Sequence, residues 1–313
     1  MRKYILKRIG LMLLLLVGMS FIVFISMYLA PGDTAETVAG ANATPEDIER
    51  VRVFLGLDKP FYVQYGIYFM NILHGNLGTS LTTRQPILSE LLVRLPNTIN
   101  LAVFAMILAC LFGIPLGIIA ALKKDTWIDN AVTTISLCGI SIPNFWLGTM
   151  LILFFCVKLK WLPTGGMTEP FWTVTGFKQV ILPGIALGMQ VSAGFTRISR
   201  SAMLDVLQSD YIRTARSKGL KGTAVILVHA LRNALIPIIT QFGTSFGGLL
   251  GGAIITEQVF VINGIGTYLI NGITQRNFPV VQSTVLVIAT LFIVVNLIVD
   301  ILYCVIDPRI SYE

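Results

Sequence analysis

Charge is scarce in this sequence. Asp, Glu, Lys and Arg supply 12% of its 313 residues, where a soluble domain carries about 25%. With 55% hydrophobic residues and a mean hydropathy of +0.79, the chain is an integral membrane protein. Histidine is almost missing: only His74 and His229 occur, far apart. Four cysteines, Cys110, Cys138, Cys156 and Cys304, lie in or at the ends of apolar runs, and none forms a C-x-x-C pair. They read as small buried hydrophobes, and no metal site built on His and Cys is expected. No lysine follows a glycine, so there is no G-K-[ST] phosphate loop and no route by that motif to an ATPase of its own. Carboxylates are missing from inside the apolar runs, apart from Asp129 at the border of one and Asp300 near the end of another. Proton- and sodium-coupled carriers keep such groups for their ion. The net charge of +7 needs no nucleic acid to explain it, because there is no aromatic-basic platform and basic loops beside spans suffice.

What is present is length in apolar runs. Residues 9–30 follow Arg2, Lys3, Lys7 and Arg8. That run is too long for a signal peptide core, so it reads as a retained first span. Five more runs cover about 97–121, 132–157, 179–196, 233–256 and 280–305, each near or above the length that crosses a roughly 30 Å core. Six spans put both termini on one side. With that side cytoplasmic, the inner segments collect the four N-terminal basics, Lys123, Lys124, Arg309 and the seven basics of the central loop, a majority of the 23 Lys and Arg.

Between the first two spans, residues 31–95 form an insert, read as an extracytoplasmic cap that opens with Pro31-Gly32-Asp33. Thr44-Pro45 is a helix start, with helices expected over 45–55 and 60–73. Gly75-Asn-Leu-Gly-Thr-Ser80 ends it in turns. Trp161 and Trp172 suit an outer aromatic belt. Residues 257–279, opening with Glu257, form the last outer loop. The domains are thus 1–30, the insert 31–95, and a five-helix core 96–313 containing the loop 197–232.

That loop organises the rest. Arg197, Arg200, Arg213, Arg216, Lys218, Lys221 and Arg232 make it basic. Residues 201–218 lack Gly and Pro and predict a helix, Gly219 stops it, and a second helical run starts near Thr223. On charge alone such a loop does no more than set orientation. Its spacing adds to that. Asp210-Tyr-Ile-Arg-Thr-Ala-Arg-Ser-Lys-Gly-Leu220, then His229-Ala-Leu-Arg-Asn-Ala-Leu-Ile-Pro237, resembles the EAA loop of ABC-transporter permeases, in the dipeptide/oligopeptide/nickel branch, B-type subunit. Leu57-Asp-Lys-Pro-Phe61 with Gln64-Tyr65, Gly75–Ser80, and the tail Asp300–Arg309 resemble the same branch. Two departures stand out: Arg213-Thr214-Ala215 replaces Glu-Ala-Ala, and Leu231-Arg232 stands where Leu-Pro is common. Asp210 offers a replacement acid nearby.

The resemblance implies an all-α, six-helix fold of the type I ABC importer permease. It implies a coupling role at Asp210, Tyr211, Arg213, Ala215, Arg216 and Gly219. It implies no cofactor on this chain, with ATP and Mg bound by partner subunits. The implied partners are a second homologous permease, two ABC ATPase subunits, an extracytoplasmic substrate-binding protein and membrane lipid, in the cytoplasmic membrane of a bacterium or archaeon. The cargo implied is di- or oligopeptides; nickel or a metal chelate is the alternative within the family, and a self-contained secondary carrier, a channel or a non-transporting scaffold are alternatives outside it. Uncharged polar residues within the spans, among them Ser141, Asn144, Gln190, Gln241, Ser245 and Gln282, serve either as helix–helix contacts or as the lining of a weakly selective wet path. Pro115, Pro143, Pro183 and Pro237 offer kinks. Gly247, Gly248, Gly251 and Gly252 suit close packing.

Overall fold

The computed structural model describes residues 2–29, 34–40, 43–54 and 56–306. The Pro31-Gly32-Asp33 opening, the Asp307-Pro308-Arg309 tail and the Asp300 side chain lie outside the described residues. Helix α1 spans Arg2–Tyr28. Three short helices follow: α2 (Thr34–Ala39), α3 (Pro45–Phe54) and α4 (Phe61–Leu73). Thr44 and Asp47 form a reciprocal cap at the start of α3, Thr44 N donating to Asp47 Oδ2 at 3.1 Å and Asp47 N to Thr44 Oγ1 at 3.3 Å. The Thr44 hydroxyl and then the Thr44 backbone N–H, both donating to its Oδ2, hold the Asp47 carboxyl below the usual carboxylate range.

Helix α5 runs Ile87–Leu122. The insert therefore gives way to helix at residue 87, earlier than the boundary at 95. Pro86, in extended conformation, starts the helix, and Ile87 and Leu91 are buried against Ile265, Tyr268 and Val280. Pro96 and Pro115 stay inside α5. The third apolar run is broken: α6 (Trp127–Ser141) meets α7 (Asn144–Leu151), which continues as a π-helical turn to Lys158, at a bend of 97°. Pro143 sits at that break because its ring has no N–H for the ladder. Pro183 and Pro237, by contrast, lie inside unbroken helices.

Helix α8 (Val174–Leu207) is far longer than the 179–196 run. At about 51 Å it overreaches the bilayer core. The helix expected over 201–218 is divided: α8 ends at Leu207, and α9 (Asp210–Ser217) begins after Ser209. Ser209 takes an extended ψ of 150°, and its hydroxyl donates to the Val206 carbonyl at 2.5 Å, competing with the helix ladder. Helix α10 (Gly222–Ala224), a π-helical stretch Val225–Ala230 and α11 (Leu231–Val259) follow as one rod. The 257–279 segment holds α12 (Ile265–Thr274), and α13 spans Phe278–Ile306.

Among the described residues, five helices are long and apolar enough to cross a membrane. Counted as one broken span, the bent pair α6–α7 brings these to six. Asp129 in its first turn meets Arg200 near the α9 end of α8, while Gly148 of α7 faces Phe260 at the far end of α11. α5 and α8 form the most extensive pairing. They lie side by side in the same direction: a Cβ on Gly113 would strike the Ser192 carbonyl, and one on Gly188 would sit 2.7 Å from the Ala105 carbonyl. Such small-residue seams replace the hydrophobic driving force that lipid removes. The span-five glycines divide. Gly247 is pressed against the Phe292 ring and Gly252 touches Leu187, but Gly248 and Gly251 face open space. The cysteines divide too: Cys156 is buried, Cys110 half-buried and Cys138 exposed beside the break, so Cys138 is not the core hydrophobe expected of it.

Candidate functional site: an elbow, a break and a buried carboxylate

α9 has two faces. Ile212 and Ala215, three residues apart, point inward and are 0% and 9% exposed. They pack with Ala121 of α5, Ala202 and Met203 of α8, Val225 and Ala230 of the π-helical stretch, and Ala234 of α11. Alanines on the receiving helices let α9 lie close to the ends of three spans. Asp210, Tyr211, Arg213 and Arg216 face outward and are exposed. Asp210 and Arg213 are 3.9 Å apart and almost fully exposed, a pairing of little energetic weight. Tyr211 is more firmly held: its hydroxyl accepts from Asn233 Nδ2 at 2.7 Å.

Gly219 ends α9 with φ +76°. Nothing lies within 4 Å of where its Cβ would be, so glycine is required by the left-handed backbone and not by crowding. Lys218, Gly219, Leu220, Lys221 and Gly222 form an exposed corner. Of the six residues singled out here from sequence, five are presented outward. Ala215 instead anchors the helix from beneath.

The six polar span residues fall in three places. Three meet at the break. Gln190 of α8 donates through Nε2 to the carbonyls of Ile140 and Ile142, both at 3.2 Å. Those carbonyls have lost helical partners because α6 stops there. Ser141 bonds back to the Leu137 carbonyl at 2.9 Å, and Asn144 encloses an Oδ1 with no hydrogen-bond partner among the described residues. A cavity of about 510 Å³ opens here, lined by Cys138, Ser141, Ile142, Pro143, Phe145 and Trp146. Gln241 and Ser245 pair with each other on α11 at 2.8 Å, with the Gln241 amide opposite Gly194 of α8. Gln282 belongs elsewhere: with Tyr68, Gln64 and Asn71 it lines a 290 Å³ cavity between α4 and α13.

One functional candidate escaped sequence reading. Glu257, taken as the first residue of a loop, lies in the last turn of α11 and is 0% exposed. Thr98 Oγ1 of α5 donates to its Oε1 at 2.5 Å, and Thr267 N of α12 donates to its Oε2 at 2.8 Å. Thr98 Oγ1 also accepts from Ile265 N at 2.9 Å. Gly264 and Gly266 press so close to the carboxylate that a Cβ on either would collide with it. The signal was the pairing of one acid with a G-x-G seven residues on. The same end is fastened to the insert, where Asn277 Nδ2 donates to Ser80 Oγ at 2.9 Å and Ser283 Oγ to the Leu77 carbonyl at 2.8 Å.

Comparison with known proteins agrees with this architecture. A family model described as a binding-protein-dependent transport system inner membrane component matches residues 113–312, and its N-terminal companion matches residues 1–102. The chain is 43% identical to a dipeptide transport system permease protein of Alkalihalophilus pseudofirmus, with 100% of both chains covered. It is 43% identical to a di/tripeptide transport system permease protein of Pseudomonas aeruginosa and 42% to a glutathione transport system permease protein of Escherichia coli, again with 100% of each covered. Among solved structures, a chain of the MetNI methionine ABC transporter in an inward-facing conformation superposes with a TM-score of 0.59 at 16% identity, covering 70% of this chain and 96% of that one. That likeness shows the fold.

Proposed function

The chain belongs to the binding-protein-dependent transport system inner membrane component family, and on that premise we propose that it is the permease subunit of an ATP-driven importer of di- and oligopeptides. The observation that carries this reading is the elbow: an exposed basic corner, hinged at Gly219, on a helix seated against the ends of α5, α8 and α11. Force applied to α9 reaches all three at once. The relatives' names support peptides as cargo, and uncharged polar groups at the break and on α11 suit a ligand selected elsewhere.

In this proposal the elbow and both termini are cytoplasmic. A second homologous permease completes the path, two ATPase subunits bind ATP and Mg and grip α9 through Tyr211, Arg213, Arg216 and the Gly219 corner, and an extracytoplasmic protein delivers the peptide. Closure of the ATPases pushes α9, and the spans rock between inward and outward access. Ala215 acts from beneath, by fixing α9 to its seat.

The test is uptake of a labelled dipeptide into proteoliposomes holding the complete complex. Uptake that requires ATP and the binding protein, and that excess Ni²⁺ does not displace, supports the reading. Uptake by this chain alone without nucleotide overturns it in favour of a secondary carrier. Displacement of the dipeptide by Ni²⁺ or a chelate moves the cargo to metal.

A further inference from the structure

α8 leads into the elbow with only Gln208 and Ser209 between it and α9. On its other flank it holds α6 by two polar clamps. Arg200 grips Asp129 with both arms, Nε to Oδ1 at 2.6 Å and Nη2 to Oδ2 at 2.7 Å. Such two-point guanidinium–carboxylate pairing fixes orientation as well as distance. Ten residues earlier, about 15 Å along the helix, Gln190 holds the carbonyls of Ile140 and Ile142. Asp129 and Ile140 are eleven residues apart on α6, so the two clamps match the pitch of one antiparallel pair. Between them Gly139 lies 3.6 Å from Ala193 and Met189, measured from its Cβ position.

Past the break the attachments change. Gly148 of α7 faces the Phe260 ring, which a Cβ would approach to 2.9 Å, with the Val259 side chain beside it. The Phe260 carbonyl in turn accepts from Gly166 N at 2.9 Å. Phe260 follows directly on α11 and neighbours the buried Glu257 assembly. α6 is thus clamped to α8 by two polar contacts, whereas α7 packs on α8 and also on the end of α11 far from the elbow. The chain between them turns through 97° at Ile142–Pro143, where the 510 Å³ cavity opens.

We propose that Ile142–Pro143 is a hinge between α6 and α7 that works during transport, and that Gln190, with the Arg200–Asp129 pair, positions it by making α6 follow α8. The inference rests on the coupling reading above. Pro143 suits a hinge because no ladder bond at its nitrogen must break when the two halves reorient. Gln190 keeps the freed carbonyls satisfied while the α6–α8 pair moves as one body.

The experiment uses the complete transporter in proteoliposomes. Spin labels replace Ile135 on α6 and Trp146 on α7, both exposed, in a background cleared of native cysteines. The expected result is a nucleotide-dependent change in the label-to-label distance in the parent protein. In Gln190→Leu, which keeps the bulk and removes the donor, that change shrinks and peptide imported per ATP falls by about five-fold or more. A parent complex that imports peptide with ATP while the distance stays fixed overturns the hinge and leaves the coupling reading standing. An unchanged yield per ATP in Gln190→Leu overturns the positioning role. A parent complex without ATP-dependent uptake removes the coupling reading itself. Should Gln190→Leu fail to assemble, the parent distance still decides the hinge.

Discussion

Asn233 of α11 donates to the Tyr211 hydroxyl of α9 at 2.7 Å, across 22 residues of chain. The bond ties the two arms of the elbow together across the Gly219 corner. Asn233 also donates to the His229 carbonyl at 3.2 Å, so the tie is anchored in the π-helical stretch as well. Tyr211 is held at one angle while 44% exposed, as a residue offered to a partner should be.

Tyr211→Phe and Asn233→Ala should each lower ATP-driven uptake by about three-fold, the scale of one net hydrogen bond of about 0.5–1.5 kcal/mol. The double variant should be no worse than the poorer single, because both remove the same contact. Initial uptake rates normalised to assembled complex check this, and additive losses would show two separate roles.

Ile212→Ala should loosen α9 without dismantling the spans. Ile212 is wholly buried, and truncating such a side chain costs about 2–4 kcal/mol. Amide exchange over residues 210–217 should accelerate by about thirty-fold or more, while exchange in α8 near Gln190 stays as it was. Hydrogen exchange on the detergent-solubilised complex gives the answer.

Two adjacent glycines make a matched pair. Gly247→Ala pushes a methyl into the Phe292 ring, whereas Gly248→Ala meets open space. The first should cost about 1–3 kcal/mol through overpacking, and the second should be neutral or stabilising by up to about 1 kcal/mol from helix propensity. Melting temperatures of the purified complex should fall for the first and hold or rise for the second.

Glu257→Ala leaves the Thr98 hydroxyl and the Thr267 amide without their acceptor, at about 1–3 kcal/mol for each buried group left unpaired. Glu257→Gln keeps one oxygen and the shape, and should retain most of the stability. Protease sensitivity of the 260–274 segment should rise sharply in the Ala variant and modestly in the Gln variant. Equal sensitivity in both would mean that charge, and not hydrogen bonding, holds the assembly.

The spans, the Thr44 cap and the Gly219 stop were legible because each rests on neighbours in sequence. Apolar run length, a capping hydroxyl and a glycine after a polar helix all report on local chemistry. Other features misled for equally local reasons. Residues 201–218 have no helix breaker, yet the Ser209 hydroxyl bonds to Val206 and divides them. Residues 87–95 looked like the end of the insert because charges and Pro96 interrupt the apolar pattern, though helix α5 has already begun.

By itself the sequence determined that this is a many-span membrane helical protein with a basic, glycine-stopped elbow, and it carried the family resemblance. Those properties follow from composition and from spacing along one dimension. The tertiary structure alone decided that Arg200 clamps Asp129 across 71 residues, that Thr98 meets Glu257 across 159, and that Gln190 holds the broken end of α6. Helix faces choose their neighbours by how side chains interlock in three dimensions, and partners that far apart along the chain leave no periodic trace of having met.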